Sequence, residues 1–468
     1  MPSGRERTFQ MPSRREFLIG GSALAAFLLT GSRLNPSWAQ ATEPGPTHAL
    51  TDAFAAMGGQ LYTQLSRRAN NVVFSPYSIG TAMAMAMSGA RGSTEQEIAN
   101  LLQLRFTRRQ TEEASSKVLA VLKSYDPSSG AHFCLAGSRW TGSDCEAPAP
   151  ADGKCRFPFH LPEDRCASGP TPPGVQLRVA NALMLTQHGA LVSEEYRALV
   201  KYHYEAELFS GATAGDANAW VSKKTNGEIP RILETLDPDS VMVILNAIYF
   251  EAAWQLPFSK SKTKEDFFYL SKAESVKTPA MHQTARFGML SGPGYRALAL
   301  PYAGSALHMA IVLPDRVEGL PETVQGLGTD GAVKLLAGFQ SAPSKKVALA
   351  LPKFKLSSDI DLLPPFQELG LRVALTDEAD FSGITGKEAA VAVIKIGQIR
   401  HRALIEVMEE GTKAAAATAV EFWGRSALPR EPEPEPFTVD RPFLFFVADF
   451  ASGAILFQGR VIDPSRQV

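Results

Sequence analysis

Few residues of this 468-residue chain stand at the spacing of a known catalytic motif. Ser259 and Lys262 match a Ser-x-x-Lys arrangement, in which a lysine amine activates a serine hydroxyl. The Lys-Thr-Gly partner of that motif is absent, and a four-residue match arises readily by chance. The chain also lacks Gly-x-Ser-x-Gly, His-Glu-x-x-His and a phosphate-binding loop, and its eight histidines are scattered. We therefore expect a protein that is not an enzyme and that needs no metal and no cofactor.

The cysteines form a second group whose chemistry can be judged from spacing. All four lie within 33 residues, at spacings of 11, 10 and 11: Cys134, Cys145, Cys155 and Cys166. Proline, glycine, serine and aspartate around them predict that residues 126–174 form an inserted loop without a core of its own. Two disulfides in an oxidising compartment would hold it together, and three pairings are open. A zinc site using His132 or His160 is the alternative, which the absence of a Cys-x-x-Cys pair disfavours.

The N-terminal residues 1–41 are typical of an export signal. Arg14 and Arg15 precede an apolar run over residues 17–30, and Ala39 and Ala41 supply small residues at a cleavage spacing. The paired arginines favour a twin-arginine signal, which predicts a periplasmic or extracellular protein. A transmembrane anchor is the alternative, but the run is shorter than the ~20 residues that cross a bilayer. We expect no membrane contact by the mature chain.

The charge balance disfavours nucleic acid as a partner. The chain carries 47 basic and 48 acidic side chains, a formal net charge of −1. Removal of residues 1–41 takes away five arginines and two glutamates, which leaves 42 basic and 46 acidic side chains and a net charge of −4. A mildly acidic protein lacks the positive field that a polyanion requires.

The remaining chain reads as helices followed by strands. Helical spacing or capping signals occur over residues 54–65, from Ser75-Pro76 to about residue 88, from Thr94 onward as a capping box, and over 118–122. Strand-like runs follow at 176–186, 240–250, 308–313 and 347–351, and at 441–450 and 454–461 as a hairpin. The order lacks strict alternation, so it predicts an α+β fold with antiparallel or mixed sheets.

Residues 409–436 differ from everything around them. Glu-Glu-Gly-Thr-Lys at 409–413 is followed by four alanines and then by a Pro/Glu tract that ends before the strand-like residues from 437. With a period of two, one face carries Thr412, Ala414, Ala416, Thr418, Val420 and Phe422, and has no charge. A strand over residues 412–424 would span about 43 Å at ~3.3 Å per residue. One of its faces is suited to burial, although the segment must also connect two core strands as a loop. An Ala-rich linker is the alternative, but long loops between core strands usually carry function.

With these motifs the sequence resembles the serpin family over nearly all of residues 50–465. The resemblance rests on the hinge at 409–417, on Val-Asp-Arg-Pro-Phe-Leu-Phe at 439–445, on 71–79, and on Leu-Asn-Ala-Ile-Tyr-Phe at 245–250 followed by Trp254. It implies one domain over 42–468 with three β-sheets, about eight or nine helices and an exposed reactive-centre loop. It also implies a metastable monomer that traps a serine protease covalently: the protease acylates itself on the loop, and the severed loop inserts into the central sheet as a new strand.

The resemblance assigns roles to particular residues. Counting sixteen residues from Glu409 places the scissile bond at Arg425-Ser426, which suits a trypsin-like protease with an acidic pocket. Phe422 or Trp423 with a chymotrypsin-like enzyme, and Arg430 in a longer loop, are the alternatives. The hinge comprises Glu409, Glu410, Gly411, Thr412, Ala414, Ala415, Ala416 and Ala417. Gly411 is expected to give the backbone freedom, and Thr412 to be the first inward side chain.

A polar cluster where the central sheet opens, called the shutter, is implied at Ser75, Ser78, Asn246 and His401. Trp254 would lie at the breach, under the point where the loop enters. Without the resemblance, His401 reads as a surface histidine on a strand. Lys413 departs from the acidic residue common in the family at that place, and we expect it to point outward.

Two other functions compete with inhibition. A non-inhibitory serpin acting as a chaperone or binding protein is one, and the small uncharged inward hinge residues argue against it. The other is a binding or adhesion module whose working part is the four-cysteine insert.

Overall fold

The computed structural model describes most of the chain from residue 45 onward. It covers residues 45–67, 70–125, 139–140 and 145–146 (backbone only), 175–186, 192–237, 240–385, 394–412 and 433–466. Residues 1–41, most of the insert 126–174 with Cys134, Cys155 and Cys166, and the segment 413–432 with Ala414 to Ala417, Arg425 and Ser426 lie outside the described residues.

The described residues contain ten α-helices, close to the eight or nine that the resemblance implies, and α10 is a single turn. The helices are α1 Pro46–Leu65, α2 Pro76–Gly89, α3 Gly92–Leu101, α4 Arg108–Lys123, α5 Glu194–Tyr204, α6 Ala214–Lys224, α7 Leu320–Leu327, α8 Gly331–Gln340, α9 Leu363–Glu368 and α10 Ser382–Thr385. None of them is long and apolar enough to cross a membrane.

Helix starts follow the capping signals with one exception. Ser75 caps α2 by accepting a hydrogen bond from the Ser78 amide, and Pro76 takes the first helical position. The capping box predicted at Thr94 is wrong. Helix α3 already begins at Gly92, and the Thr94 hydroxyl is buried and accepts from the Asp380 amide instead.

The described strands form three sheets, which with the helices confirms the predicted α+β class. The strands are β1 Val72–Phe74, β2 Arg139–Trp140, β3 Cys145–Glu146, β4 Gln176–Leu185, β5 Glu207–Ser210, β6 Met242–Ala253, β7 Lys264–Tyr269, β8 Ser275–Gly292, β9 Tyr295–Pro301, β10 Leu307–Pro314, β11 Ser344–Pro352, β12 Phe354–Asp361, β13 Ile396–Val407, β14 Gly411–Thr412, β15 Glu435–Thr438, β16 Phe443–Asp449 and β17 Ile455–Val461. The late pair β16–β17 is the antiparallel hairpin that the sequence predicts.

The nine-stranded sheet runs in the order β1-β17-β16-β10-β9-β8-β11-β15, with β7 paired to β8. Strands β2 and β3 form a separate ribbon inside the predicted insert. The six-stranded sheet runs β12-β13-β14-β6-β4-β5, and β13 also pairs directly with β6. This six-stranded sheet positions the candidate site, because the hinge strand β14 lies in it between β13 and β6.

Strand β6 is buried on both faces. Its residues Ile244, Ile248 and Phe250 belong to the main core, which also contains α2, a helix whose every residue is buried. The alternate residues Val243 and Leu245 belong to a second core under α6. The sequence of a strand that is buried on both faces is a nearly continuous run of apolar residues, and residues 242–250 show this pattern.

Candidate functional site

The centre of the six-stranded sheet contains a parallel pair that one short strand splits at one end. Strands β6 and β13 pair in parallel from Met242–Ile396 to Tyr249–Leu404. Beyond that level β14 lies between them, antiparallel to both: Thr412 pairs with Ala252 on β6 and with Val407 on β13. The hinge residue Gly411 and Thr412, the first residue of the predicted loop strand, are therefore already part of the sheet.

Gly411 is required here by close packing. A Cβ at this position would lie 2.1 Å from the Ala252 carbonyl oxygen and 2.7 Å from the Ala253 Cα, so no larger residue fits without moving β6. Its φ of 158° lies at the edge of the positive range that other residues rarely adopt. The close approach of two strands therefore adds to backbone freedom as a reason for glycine.

Thr412 is fully buried and faces the main core, as its place in the period-two pattern predicts. Its Oγ1 is hydrogen-bonded to the Tyr302 hydroxyl at 2.6 Å. The Tyr302 ring stacks on the Trp254 indole, with centroids 4.5 Å apart. Burial raises the pKa of Tyr302, so the hydroxyl remains protonated.

Trp254 lies directly under the hinge. Its indole Nε1 donates to the Met408 carbonyl at 2.9 Å, and its backbone amide donates to the Glu410 carbonyl at 2.9 Å. The indole is 2 % exposed. The residue assigned to the breach thus contacts the turn between β13 and β14.

The two hinge glutamates are held by cations that the sequence did not single out. Glu409 accepts from Lys353 Nζ at 2.9 Å and from Thr263 Oγ1 at 2.8 Å. Burial alone would raise the pKa of Glu409, but the hydrogen bonds from Lys353 and Thr263 lower it below its ordinary value. Glu410 pairs with Lys260, whose pKa the hydrogen bond raises. The start of the loop is therefore anchored by charge as well as by strand pairing.

The structure brings together the four residues assigned to the shutter. His401 and Asn246 are level on the parallel pair β13–β6, and Ser75 and Ser78 come from the start of α2. His401 is fully buried, so the alternative of a surface histidine is wrong.

The hydrogen bonds of His401 fix its tautomer. The Ser75 amide donates to Nε2 at 3.2 Å, so Nε2 carries the lone pair. Nδ1 donates to Asn246 Oδ1. Burial lowers the pKa of His401 to about 3, so the ring is neutral at physiological pH.

Asn246 links the histidine to the neighbouring strand. Its Nδ2 donates to the Ser78 carbonyl at 3.0 Å and also to Ser78 Oγ and Asn181 Oδ1 at 2.5 Å. Asn181, on β4, is a member of this cluster that sequence reasoning missed. Its signal was a single amide inside the apolar run 179–185.

The cluster bridges β4, β6, β13 and α2, and it spans the line along which β6 and β13 would separate. Among the described residues, no group of three or more histidine, cysteine, aspartate or glutamate side chains is placed to hold a metal ion.

Comparisons with known proteins agree with this geometry. The family model described as "Serpin (serine protease inhibitor)" matches residues 52–149 and 160–464. An uncharacterized serpin-like protein of Thermococcus kodakarensis is 34 % identical over 427 residues, which are 90 % of this chain and 87 % of the relative.

Solved structures match over similar lengths. Serpin48 of the insect Tenebrio molitor, described as a highly specific serpin, has a TM-score of 0.68 at 27 % identity, covering 88 % of this chain and 98 % of that one. Human thyroxine-binding globulin, solved as a complex with thyroxine, has a TM-score of 0.70 at 23 % identity, covering 90 % of this chain and 100 % of that one. The latter likeness concerns the fold alone.

Proposed function

The chain belongs to the serpin family, and we propose that it is an irreversible suicide-substrate inhibitor of a trypsin-like serine protease, acylated at Arg425. Serpins are in general protease inhibitors rather than catalytic enzymes. The proposal goes further for this chain: it names the class of protease, the bond and the covalent trap. The proposal rests on the position of β14, which pairs with both β6 and β13 at the end of their parallel ladder.

The pairing of β14 defines where further loop residues would pair. Because β14 is antiparallel to both neighbours, each residue after Thr412 moves one position back along β6 and β13. In this register residue 422 reaches Met242, the first residue of β6, and Gly397, the second residue of β13. Ten residues, 413–422, would replace one parallel ladder by two antiparallel ladders, which are the more stable kind.

The inward loop side chains match what they would meet. Ala414 would lie between Phe250 and Ile405, and Ala416 between Ile248 and Ala403, all of which are packed in the main core. Alanine at these places adds little volume and loses no rotamers, so insertion is fast.

The polar residue Thr418 would arrive where the receiving strands are polar. Its level is that of Asn246 on β6 and His401 on β13. Separation of the strands breaks the hydrogen bond between these two side chains, and a hydroxyl at the same level offers both a donor and an acceptor in exchange.

The same register supports Arg425 as the acylated residue. It lies three residues beyond Phe422, so a protease attached there is carried past the far end of the sheet. Insertion after acylation and before hydrolysis holds the protease as its acyl-enzyme. An arginine side chain fits an acidic specificity pocket, which defines the trypsin-like class.

Export completes the proposal. Residues 1–41 act as a twin-arginine signal, so the inhibitor works outside the cytoplasm, where two disulfides among Cys134, Cys145, Cys155 and Cys166 can form. The mature protein acts as a monomer, and its partner is the protease.

The test is a denaturing gel of the mature chain mixed with trypsin. A complex that survives SDS, together with a released fragment that begins at Ser426, is the expected result. Clean cleavage after Arg425 without a complex would contradict inhibition of this enzyme class. Replacement Arg425→Ala should abolish the complex, whereas Arg430→Ala is the matched control and should keep it.

A further inference from the structure

Two glutamates lie at the same level on β6 and β13, at the mouth of the gap between these strands. Glu251 and Glu406 each lie two residues beyond the last directly paired residues, Tyr249 and Leu404. They occupy the outer face, since the alternate residues on both strands belong to the main core. Both side chains are partly exposed.

The negative charge at this level is only partly compensated. Glu406 pairs with Lys355 at 3.1 Å, and Glu251 accepts from the Tyr249 hydroxyl at 2.9 Å. Burial, then Glu251, and also Glu228 and Glu406, raise the pKa of Tyr249, so these carboxylates act on one hydroxyl. On the other side of Glu251 the level partner is the neutral Gln176 on β4.

These glutamates are the single acidic residues of their strands. Strand β6 contains no other aspartate or glutamate, and neither does β13. The segment 412–424 contains a single cation, Lys413. In the register set by Thr412, that lysine is the next residue and falls at the level of both carboxylates.

We infer that Glu251 and Glu406 form an acidic receiving site for the ammonium group of Lys413 when the loop inserts. This inference rests on the proposed insertion and adds to it a charge-specific first step. The other outward residues meet no such pair: Ala415 reaches Tyr249 and Leu404, and Glu421 reaches Val243 and Gln398. The site therefore stabilises the first residue that enters after Thr412, before the apolar residues are inserted.

The expected size follows from cross-strand ion pairs. Each opposite-charge pair across a strand contributes a modest stabilisation, and two pairs together give about a five- to tenfold change in an equilibrium constant. Because the site is partly exposed, the effect decreases at high salt.

The experiment measures insertion of a synthetic peptide with the sequence of residues 413–424 into the full-length mature protein, whose own Thr412 already occupies the preceding level of the sheet. The parent peptide is compared with a peptide carrying Lys413→Gln and with a control carrying Glu421→Gln, which removes one charge from the same outward face. We expect the first change to weaken binding about five- to tenfold and the control to leave it unchanged within about twofold. In 1 M salt the difference should largely disappear.

A second protein tests whether the effect of Lys413 on peptide binding depends on the two carboxylates. On a mature chain carrying Glu251→Gln and Glu406→Gln, the lysine and glutamine peptides should bind equally. Equal binding of these peptides to the parent protein would overturn the receiving site while leaving the proposed inhibition intact. Failure of every peptide to bind the parent would instead count against opening of the sheet, and so against both proposals.

Discussion

Replacing His401 with glutamine should remove about half of the acid sensitivity that His308 and His401, the two buried histidines among the described residues, give to the native fold. The ring is neutral when folded, because burial lowers its pKa from 6.5 to about 3. A proton would have to enter at Nε2, which already faces the Ser75 amide, a donor. The unfolded chain binds a proton below pH 6.5 and the native chain does not, so native stability falls as the pH is lowered from 6.5 towards 3.

The size of this effect follows from the two pKa values. A pH of 5 is about 1.5 pH units below the pKa of the histidine in the unfolded chain. Protonation therefore stabilises the unfolded chain there, and the native fold loses about 2 kcal/mol of stability. His308 is the natural comparison, since burial lowers its pKa to about 4 and it lies on β10, in the other large sheet. It contributes a similar loss at pH 5.

The assay is guanidinium unfolding of the mature parent, His401→Gln and His308→Gln at pH 7.5 and pH 5. Glutamine can donate and accept but does not titrate in this range. Each single variant should lose about 2 kcal/mol less than the parent between these pH values. A pH dependence of His401→Gln identical to that of the parent would refute the reasoning, because it would mean that His401 is protonated in the native fold.

Three further predictions concern the hinge. Gly411→Ala forces a methyl group against the Ala252 carbonyl, so we expect about 1–3 kcal/mol of destabilisation. We also expect faster proteolysis of the loop, measured by timed digestion. Glu409→Gln removes the charge that Lys353 binds and should cost about 2 kcal/mol at pH 7. Because the folded pKa of Glu409 is lowered, that cost should fade as the pH drops below ~4.5, and a pH-independent cost in denaturant titrations would contradict the pairing. Tyr302→Phe deletes one hydrogen bond to the hinge and should cost about 1 kcal/mol in thermal unfolding, with an unchanged value arguing against that bond.

The sequence predicted those parts of the fold that depend on local pattern. The period-two face of 412–422 correctly placed Thr412 towards the core, and the strand-like run at 240–250 correctly predicted β6, which begins at Met242. Ser75-Pro76 gave the start of α2. These features depend on neighbours in the chain, so composition and spacing are sufficient to find them.

The parts that the sequence missed depend on residues far apart in the chain. Lys353 and Thr263 reach Glu409 from two other elements, and Tyr302 reaches Thr412 from a third. The reason for Gly411 also required the position of β6, since only that strand limits the space for a Cβ. The failed capping box at Thr94 has the same origin, because the distant Asp380 amide uses its hydroxyl.

Insertion of the loop between β6 and β13 is the central claim, and a disulfide across that line tests it most directly. Ala247 and Arg402 pair directly on the two strands, so cysteines in their places can hold the sheet closed. The oxidised variant should be cleaved by trypsin without forming an SDS-stable complex, and the reduced variant should form the complex. The parent protein, treated with the same oxidant and reductant, should form it in both states. A complex formed equally well by the oxidised variant would contradict the claim that the loop enters between these strands.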